Sequence, residues 1–486
     1  MKEKPVVEIF RTPLNFYLFD AQKAKLIRIT KKSFDLLNDI LHKDLECQNL
    51  TPELLLLKDK GYLSEKLSTK KLCHPYDGIM KELLTRKLER ITLQVTQKCN
   101  LRCKYCIYSE NTNKLQRSHS NKDMPKSMAF KAINFLWDNS IDSEDICIGF
   151  YGGEPLLNFP LIEQCVAYAE EMFFGKKLLF TITTNGTLLT DKIIHFFSLH
   201  DFMLMVSLDG NKKINDKNRV FANGSGTYDV VVERLKRIEE IEPKLAEKMS
   251  ISMVLDPQND FDCINRITMT GGALNSFNIS PSLLDECFEA EERAKCSSAE
   301  KNFSERFNYN TFLAFLSVFG RFPLSKTSPI TRNSLYKINN EMQMVDKLSQ
   351  PMTVDIPSGT CVVGRDRLLV NVNGDFFPCE RVSELSPVMK IGNINDGFNF
   401  TAVNNLLNVG ANSPINCLHC WCFKLCSLCS KKADAGNQQL SPETKIKYCS
   451  ESQANAYDKI MRYIVFHEIR ERSHDVSTIL EPEYLK

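Results

Sequence analysis

The chain has 486 residues, 43 % of them hydrophobic, with 62 basic and 60 acidic side chains and a formal net charge of +2. That length supports two to four packed domains. The near balance of charge excludes a global field that would draw in nucleic acid or an anionic membrane surface. Met1-Lys2-Glu3-Lys4 leads into a short mixed run rather than the apolar core of a signal peptide, and no apolar run reaches the length of a transmembrane span, so a cytoplasmic protein is expected. Eighteen cysteines in a reducing compartment point to metal ligation rather than a disulfide framework.

Residues 1–85 read as a small unit of their own. Phe16–Asp20 and Lys25–Ile29 form a hairpin across a polar turn. Ser33 is expected to cap a helix through Leu36, Leu37, Ile40 and Leu41, and Thr51-Pro52-Glu53 starts a second. Strand, strand, helix, helix at this size is a winged-helix pattern. No arginine-rich recognition helix is present, and Leu54 to Leu57 dominate the second helix, so reading DNA is not expected. The unit resembles the recognition element of maturases of ribosomally synthesised peptides, which grips a leader by adding it as a strand to a sheet edge. A structural cap is the alternative. The stretch 67–76, with Cys73 and His74, reads as a surface connection.

From about residue 86 to 282 the pattern is strand, loop, helix, repeated. Strands are predicted at Ile91–Thr96, Ile146–Tyr151, Leu178–Thr183, Met203–Leu208, Met249–Leu255 and Phe277–Ser280. Helices fall between them, including Met128–Trp137, Leu161–Met172, Asp191–Phe197 and Val230–Ile238. Six βα units imply an α/β fold, a partial (β/α)6 TIM barrel, with chemistry at the carboxyl ends of the strands.

The unusual residues lie at those ends. Cys99-Asn100-Leu101-Arg102-Cys103-Lys104-Tyr105-Cys106 follows the first strand, with C-x3-C-x2-C spacing. Three thiolates this close can hold three irons of a cubic four-iron cluster and leave the fourth open to a substrate. Zinc is the alternative for these eight residues taken alone. Gly152-Gly153-Glu154-Pro155 follows the second strand. The glycines allow close backbone approach, and the carboxylate can accept from an ammonium group. Asn185-Gly186 follows the third strand and Ser207-Leu208-Asp209-Gly210 the fourth, each an ordinary turn by itself. Arg219 is near enough in sequence to offer a cation to a carboxylate.

The paired cysteine and Gly-Gly-Glu-Pro motifs resemble the radical S-adenosylmethionine superfamily over roughly residues 88–280. The resemblance implies that Cys99, Cys103 and Cys106 hold a 4Fe-4S cluster whose open iron chelates S-adenosylmethionine. It places Tyr105 near the adenine, and Gly152, Gly153 and Glu154 at the methionine amino group. Ser207 would meet the ribose or carboxylate region, Arg219 the carboxylate, and Asn185 is a further contact. The chemistry implied is one-electron cleavage of the sulfonium to a 5′-deoxyadenosyl radical, with the protein supplying orientation and water exclusion.

Residues 283–360 read as a helical bridge containing the unassigned Cys287 and Cys296 and an apolar helix at 310–319. Residues 361–486 carry Cys361, Gly374, Cys379, Cys417, Cys420, Cys426, Cys429 and Cys449, and an Asn-Gly hairpin at 370–377. In this order the cysteines resemble the SPASM extension, which holds two auxiliary 4Fe-4S clusters; a zinc ribbon is the alternative. The resemblance assigns Cys417, Cys420, Cys426 and Cys449 to an outer cluster and Cys361, Cys379 and Cys429 to an inner one. An extra thiol, Cys422, either completes a cluster or leaves the inner one with an open iron, the second being favoured. Glu380 follows Cys379 where sulfatase-maturing relatives carry a base; an exposed glutamate is the alternative. Ala456, Ile460, Ile464 and Val465 mark a closing amphipathic helix.

The expected function is a peptide-modifying radical enzyme. It would bind the leader of a precursor peptide and take electrons from a flavodoxin- or ferredoxin-type donor. It would join a cysteine sulfur to a carbon as a thioether, as sactipeptide and ranthipeptide maturases do. Carbon–carbon crosslinking, formylglycine formation in a sulfatase, and a zinc-binding regulator without catalysis are the alternatives.

Overall fold

The computed structural model describes residues 4–43, 49–108, 116–269, 271–284, 298–332, 347–357 and 361–472. Cys287 and Cys296 lie outside the described residues. The chain divides into two compact units, one drawn from 1–80, 338–363 and 401–474, the other from 81–337 and 364–400.

The first unit begins with an antiparallel sheet of β1 (Val7–Arg11), β2 (Phe16–Asp20) and β3 (Lys25–Ile29), in that order. The expected hairpin is present, and β1 adds a strand that the sequence pattern hid. Residues 6–10 lack clean alternation because both faces of the sheet are buried. Val7, Ile9, Leu18 and Ile29 pack with Leu37 of α1 (Lys31–His42) and Leu54 of α2 (Pro52–Asp59). Phe10 and Phe19 pack on Trp421, Phe423, Ile460 and Ile464. The cap of α1 is Thr30 rather than Ser33: its hydroxyl accepts from Ser33 N at 3.3 Å, satisfying one orphan donor, while Ser33 bonds Thr51. The stretch read as a surface connection instead pairs β4 (Lys71–Leu72) in parallel with β11 (Val354–Asp355), and Cys73 is buried. The closing helix runs Cys449–Arg472 and buries Ala456, Ile460 and Ile464. Its Glu468 collects hydrogen bonds from Thr12, Asn15 and Tyr17.

Among the described residues, the second unit is built on one ten-stranded sheet. Six strands run parallel and adjacent: β5 (Arg90–Thr96), β6 (Asp145–Gly152), β7 (Lys177–Thr184), β8 (Met203–Ser207), β9 (Ser250–Leu255) and β10 (Asn278–Leu283). These are the six predicted strands, joined through helices as a partial barrel requires. The hairpin of β12 (Leu369–Val370) and β13 (Asp375–Phe377) extends this sheet, because β12 pairs in parallel with β5. Gly374 closes its turn at φ 84°, a left-handed conformation that favours glycine. Helix Ser298–Val318 packs Phe303 and Phe307 against Phe261, and within the apolar run it buries Ala314, Phe315 and Val318, the packing role expected there.

Candidate active site and cysteine cavity

At the carboxyl end of β5 the chain turns into the loop bearing Cys99, Cys103 and Cys106. The segment that includes Arg219 clamps this loop: Arg102 N donates to Val220 O at 2.8 Å, Lys104 N to Asn218 O at 3.0 Å, and Ala222 N to Asn100 O at 3.2 Å. Leu101 N points at Cys99 Sγ, 3.4 Å away. Burial pushes the Cys99 thiol up to about 12, with Glu154 and the other two thiols adding to it. Cys103 rises to about 11 by burial, against the pull of Arg219. Three adjoining thiols crowded this way shed their protons to a metal and little else. As a donor set they fit a 4Fe-4S cluster with one open iron.

Gly152 and Gly153 serve the loop before any ligand. A Cβ on Gly152 would stand 2.2 Å from Thr96 O, and one on Gly153 would stand 2.1 Å from Lys98 O. Gly153 N bonds Thr96 O at 3.0 Å and Glu154 N bonds Lys98 O at 2.8 Å, so this turn sets where Cys99 begins. The Glu154 side chain is fully buried. Its carboxylate accepts from Leu156 N at 3.0 Å, Thr184 Oγ1 at 2.7 Å and Asn185 N at 2.7 Å, fastening the end of β6 to the end of β7. Burial raises its pKa while these donors oppose the rise. Asn185 in turn donates to Asn100 at 2.8 Å, reaching back to the residue beside Cys99.

Asp209, readable in the sequence only as half of a turn dipeptide, is a hub. It is 1 % exposed and accepts from Arg219 Nε at 2.9 Å, Val254 N at 3.0 Å and the Tyr105 hydroxyl. Arg219 also lies over the Tyr105 ring, 5.5 Å from its centroid. Burial alone would lower the Arg219 pKa, but Asp209, Tyr105 and Cys103 together hold it raised. Ser207 is buried at the end of β8.

A second group gathers beside Cys106. Tyr108 is buried and Tyr151 half-buried, and this loss of solvent raises both hydroxyl pKa values. Tyr151 feels Glu380, Cys106 and Cys379, while Tyr108 feels Tyr151 and Cys106. The Glu380 carboxylate contacts Arg367 and lies 4.0 Å from Arg381, so it is an ion-paired group rather than a bare base. His119 Nε2 is 4.0 Å from Cys106 Sγ. Neither tyrosine was selected from the sequence, although Tyr108 stands two residues after the last motif cysteine and Tyr151 immediately before the glycine pair.

In the first unit, Cys417, Cys420, Cys422, Cys426 and Cys449 line one cavity with Pro357, Lys445 and Ser452. The expected outer set is therefore brought together, and Cys422 joins it, its sulfur 3.5 Å from that of Cys420. Side-chain donors reach three of these sulfurs: Lys445 to Cys417 at 3.3 Å, Gln453 to Cys420 at 3.6 Å, and Ser452 to Cys426 at 3.5 Å. Such donors stabilise thiolate charge, so the donor set suits a cluster ligated by Cys417, Cys420, Cys426 and Cys449. Cys361, exposed, and Cys429 belong to the same unit but do not line the cavity, and Cys379 belongs to the other unit. Among the described residues, no three histidine, cysteine or carboxylate groups are drawn together as one metal ion would require. None of the described cysteines forms a disulfide, and no described helix is long and apolar enough to cross a membrane.

A thiol loop at the mouth of a parallel partial barrel, braced by a Gly-Gly turn, defines a class. Residues 93–267 match the family model described as the Radical SAM superfamily. This segment is similar to enzymes of the radical S-adenosylmethionine type. Its relatives include the radical SAM cyclopropyl synthase TigE of Paramaledivibacter caminithermalis, 23 % identical over 351 residues, covering 71 % of this chain and 67 % of that protein. They also include the cysteine-type anaerobic sulfatase-maturating enzyme of Clostridium novyi, 30 % identical over 164 residues, covering 31 % of this chain and 40 % of that protein. Other curated relatives, too, are spanned for less than half of their length. The fold is similar to that of native anSMEcpe with bound AdoMet, at a TM-score of 0.58 and 17 % identity, covering 79 % of this chain and 100 % of that one. That protein has also been solved with AdoMet and the Kp18Cys peptide.

Proposed function

We propose that the protein is a peptide maturase that binds S-adenosylmethionine at the Cys99, Cys103 and Cys106 loop and installs a thioether in a ribosomally made precursor. The observation that carries this reading is the pairing of two thiol sets in one chain: the three-cysteine loop, and a separate cavity where side-chain donors serve three of four expected ligand sulfurs. When bound, the loop cluster and S-adenosylmethionine supply a carbon-centred radical that abstracts a hydrogen atom. The chain's own residues orient the reactants: the Glu154 and Asn185 bonds fix the loop, Arg219 on Asp209 offers a held cation to a carboxylate, and buried Tyr108 with half-buried Tyr151 limits water beside Cys106. The β1–β3 sheet, covered on both faces, leaves its strand edges as the surface on which a leader strand would add. A flavodoxin- or ferredoxin-type protein is the proposed electron donor, and the cavity cluster and a further inner cluster are the proposed auxiliary centres.

Two other products have specific support. The likeness to a cyclopropyl synthase over 71 % of the chain favours carbon–carbon bond formation. The sulfatase-maturating relative favours formylglycine, while the N-terminal module speaks for a leader-bearing substrate. Co-expression with a neighbouring short cysteine-rich reading frame, followed by mass measurement, separates them. A thioether is a loss of two hydrogens with one alkylation-resistant cysteine. A carbon–carbon bond loses two hydrogens and leaves every cysteine alkylatable, and formylglycine made from cysteine loses sulfur.

A further inference from the structure

We infer that Lys445 is the built-in counter-charge of the five-cysteine cavity and raises the reduction potential of the cluster bound there; this rests on the reading that Cys417, Cys420, Cys426 and Cys449 hold an auxiliary cluster. Lys445 sits on the short helix Pro442–Lys447 and is 3 % exposed. Its Nζ donates to Ser413 Oγ at 2.6 Å and to Cys417 Sγ at 3.3 Å. Among the described residues no carboxylate pairs with it. A buried ammonium without an anion is costly, so the fold is built for negative charge at the sulfur it faces.

The neighbouring contacts point the same way. Gln453 and Ser452, near the start of helix Cys449–Arg472, aim at Cys420 and Cys426. Three sulfurs around one space each receive a donor from a different side chain. Among the described residues neither Cys422 nor Cys449 receives such a donor, and the Cys422 sulfur lies 3.5 Å from that of Cys420. The donors thus mark three of the four expected ligands, Cys417, Cys420 and Cys426, as thiolates. Reducing a cluster by one electron from an external donor breaks no bond and adds one negative charge. A fixed cation beside a ligating sulfur favours the more negative state, and hydrogen bonds to sulfur act in the same sense.

The test uses the full chain, reconstituted anaerobically with iron and sulfide, in a Cys99→Ala, Cys103→Ala, Cys106→Ala background that removes the loop's iron. Lys445→Met, Lys445→Gln and Lys445→Arg are compared by iron content and by EPR-monitored titration with dithionite. Lys445→Met should keep its iron while its reduction equilibrium weakens at least tenfold, 59 mV for a one-electron couple, and Lys445→Arg should restore the parent value. Lys445→Gln, which keeps a donor near Ser413 and loses the charge, carries the same expectation should the methionine variant not fold. Full iron with an unchanged potential in the charge-free variants overturns the role of Lys445 and leaves the cluster standing. A Cys417→Ala, Cys420→Ala variant with undiminished iron overturns the cluster reading and Lys445 with it.

Discussion

Arg219 donates from Nε to Asp209 at 2.9 Å, and both side chains are sealed from solvent, 10 % and 1 % exposed. Asp209 is also held by Tyr105 from inside the cysteine motif, so one carboxylate ties the three-cysteine loop to the residues after β8. Removing one partner of a buried pair strands the other's charge, at a cost of about 3–5 kcal/mol. Asp209→Ala should therefore lose that much unfolding free energy in denaturant titration. Tyr105→Phe, which loses one hydrogen bond and keeps the ring over Arg219, should lose about 1–2 kcal/mol.

Gly153→Ala should act on metal content rather than on the fold as a whole. The added methyl would meet Lys98 O, one residue before Cys99, and backbone cannot yield as a flexible side chain does. The expected result is reconstituted enzyme about four irons per chain short of the parent, the content of one cubane, with little change in circular dichroism.

Phe10 in β1 stacks on Tyr457 at 4.7 Å and meets Trp421 edge-on at 6.2 Å, beside Cys422 in the same core. The N-terminal sheet is thus part of the wall behind the cysteine cavity. Phe10→Ala should cost about 3–5 kcal/mol. It should also expose the 417–429 segment to limited proteolysis, whereas an N-terminal module folding independently would leave that segment protected.

Asp20 gives a pH dependence with a defined sign. Burial raises its pKa above the ordinary 3.8, against donors from Leu63 and Lys23. A carboxyl with a higher pKa folded than unfolded contributes most below 3.8 and loses that contribution as pH rises through the folded value. The stability of the parent relative to Asp20→Asn should therefore fall with rising pH in the mildly acidic range, as urea titrations at several pH values would show.

The six barrel strands were legible as short apolar or alternating runs rich in β-branched residues, separated by stretches of helical spacing. The three-cysteine loop after β5 was legible from its spacing. What escaped depended on distance along the chain. Asp209 reaches Tyr105 across 104 residues, and nothing local distinguishes it from any Asp-Gly turn. The Glu154 carboxylate, read as a ligand for an ammonium group, is taken up by Thr184 and Asn185, 30 and 31 residues on. Lys445 stands in the run Glu443-Thr444-Lys445-Ile446-Lys447, which reads as a solvated helix surface until its burial is seen. The hairpin at Leu369–Phe377 was recognisable from its Asn-Gly turn, but its pairing with β5 was not.

Everything proposed for the second unit turns on the Cys99, Cys103 and Cys106 loop delivering one electron to bound S-adenosylmethionine. The direct measurement is 5′-deoxyadenosine formed by anaerobically reconstituted enzyme given dithionite, with Cys103→Ala alongside. The parent should produce it and the variant should not; no product from fully loaded parent, or equal product from both, would contradict the assignment.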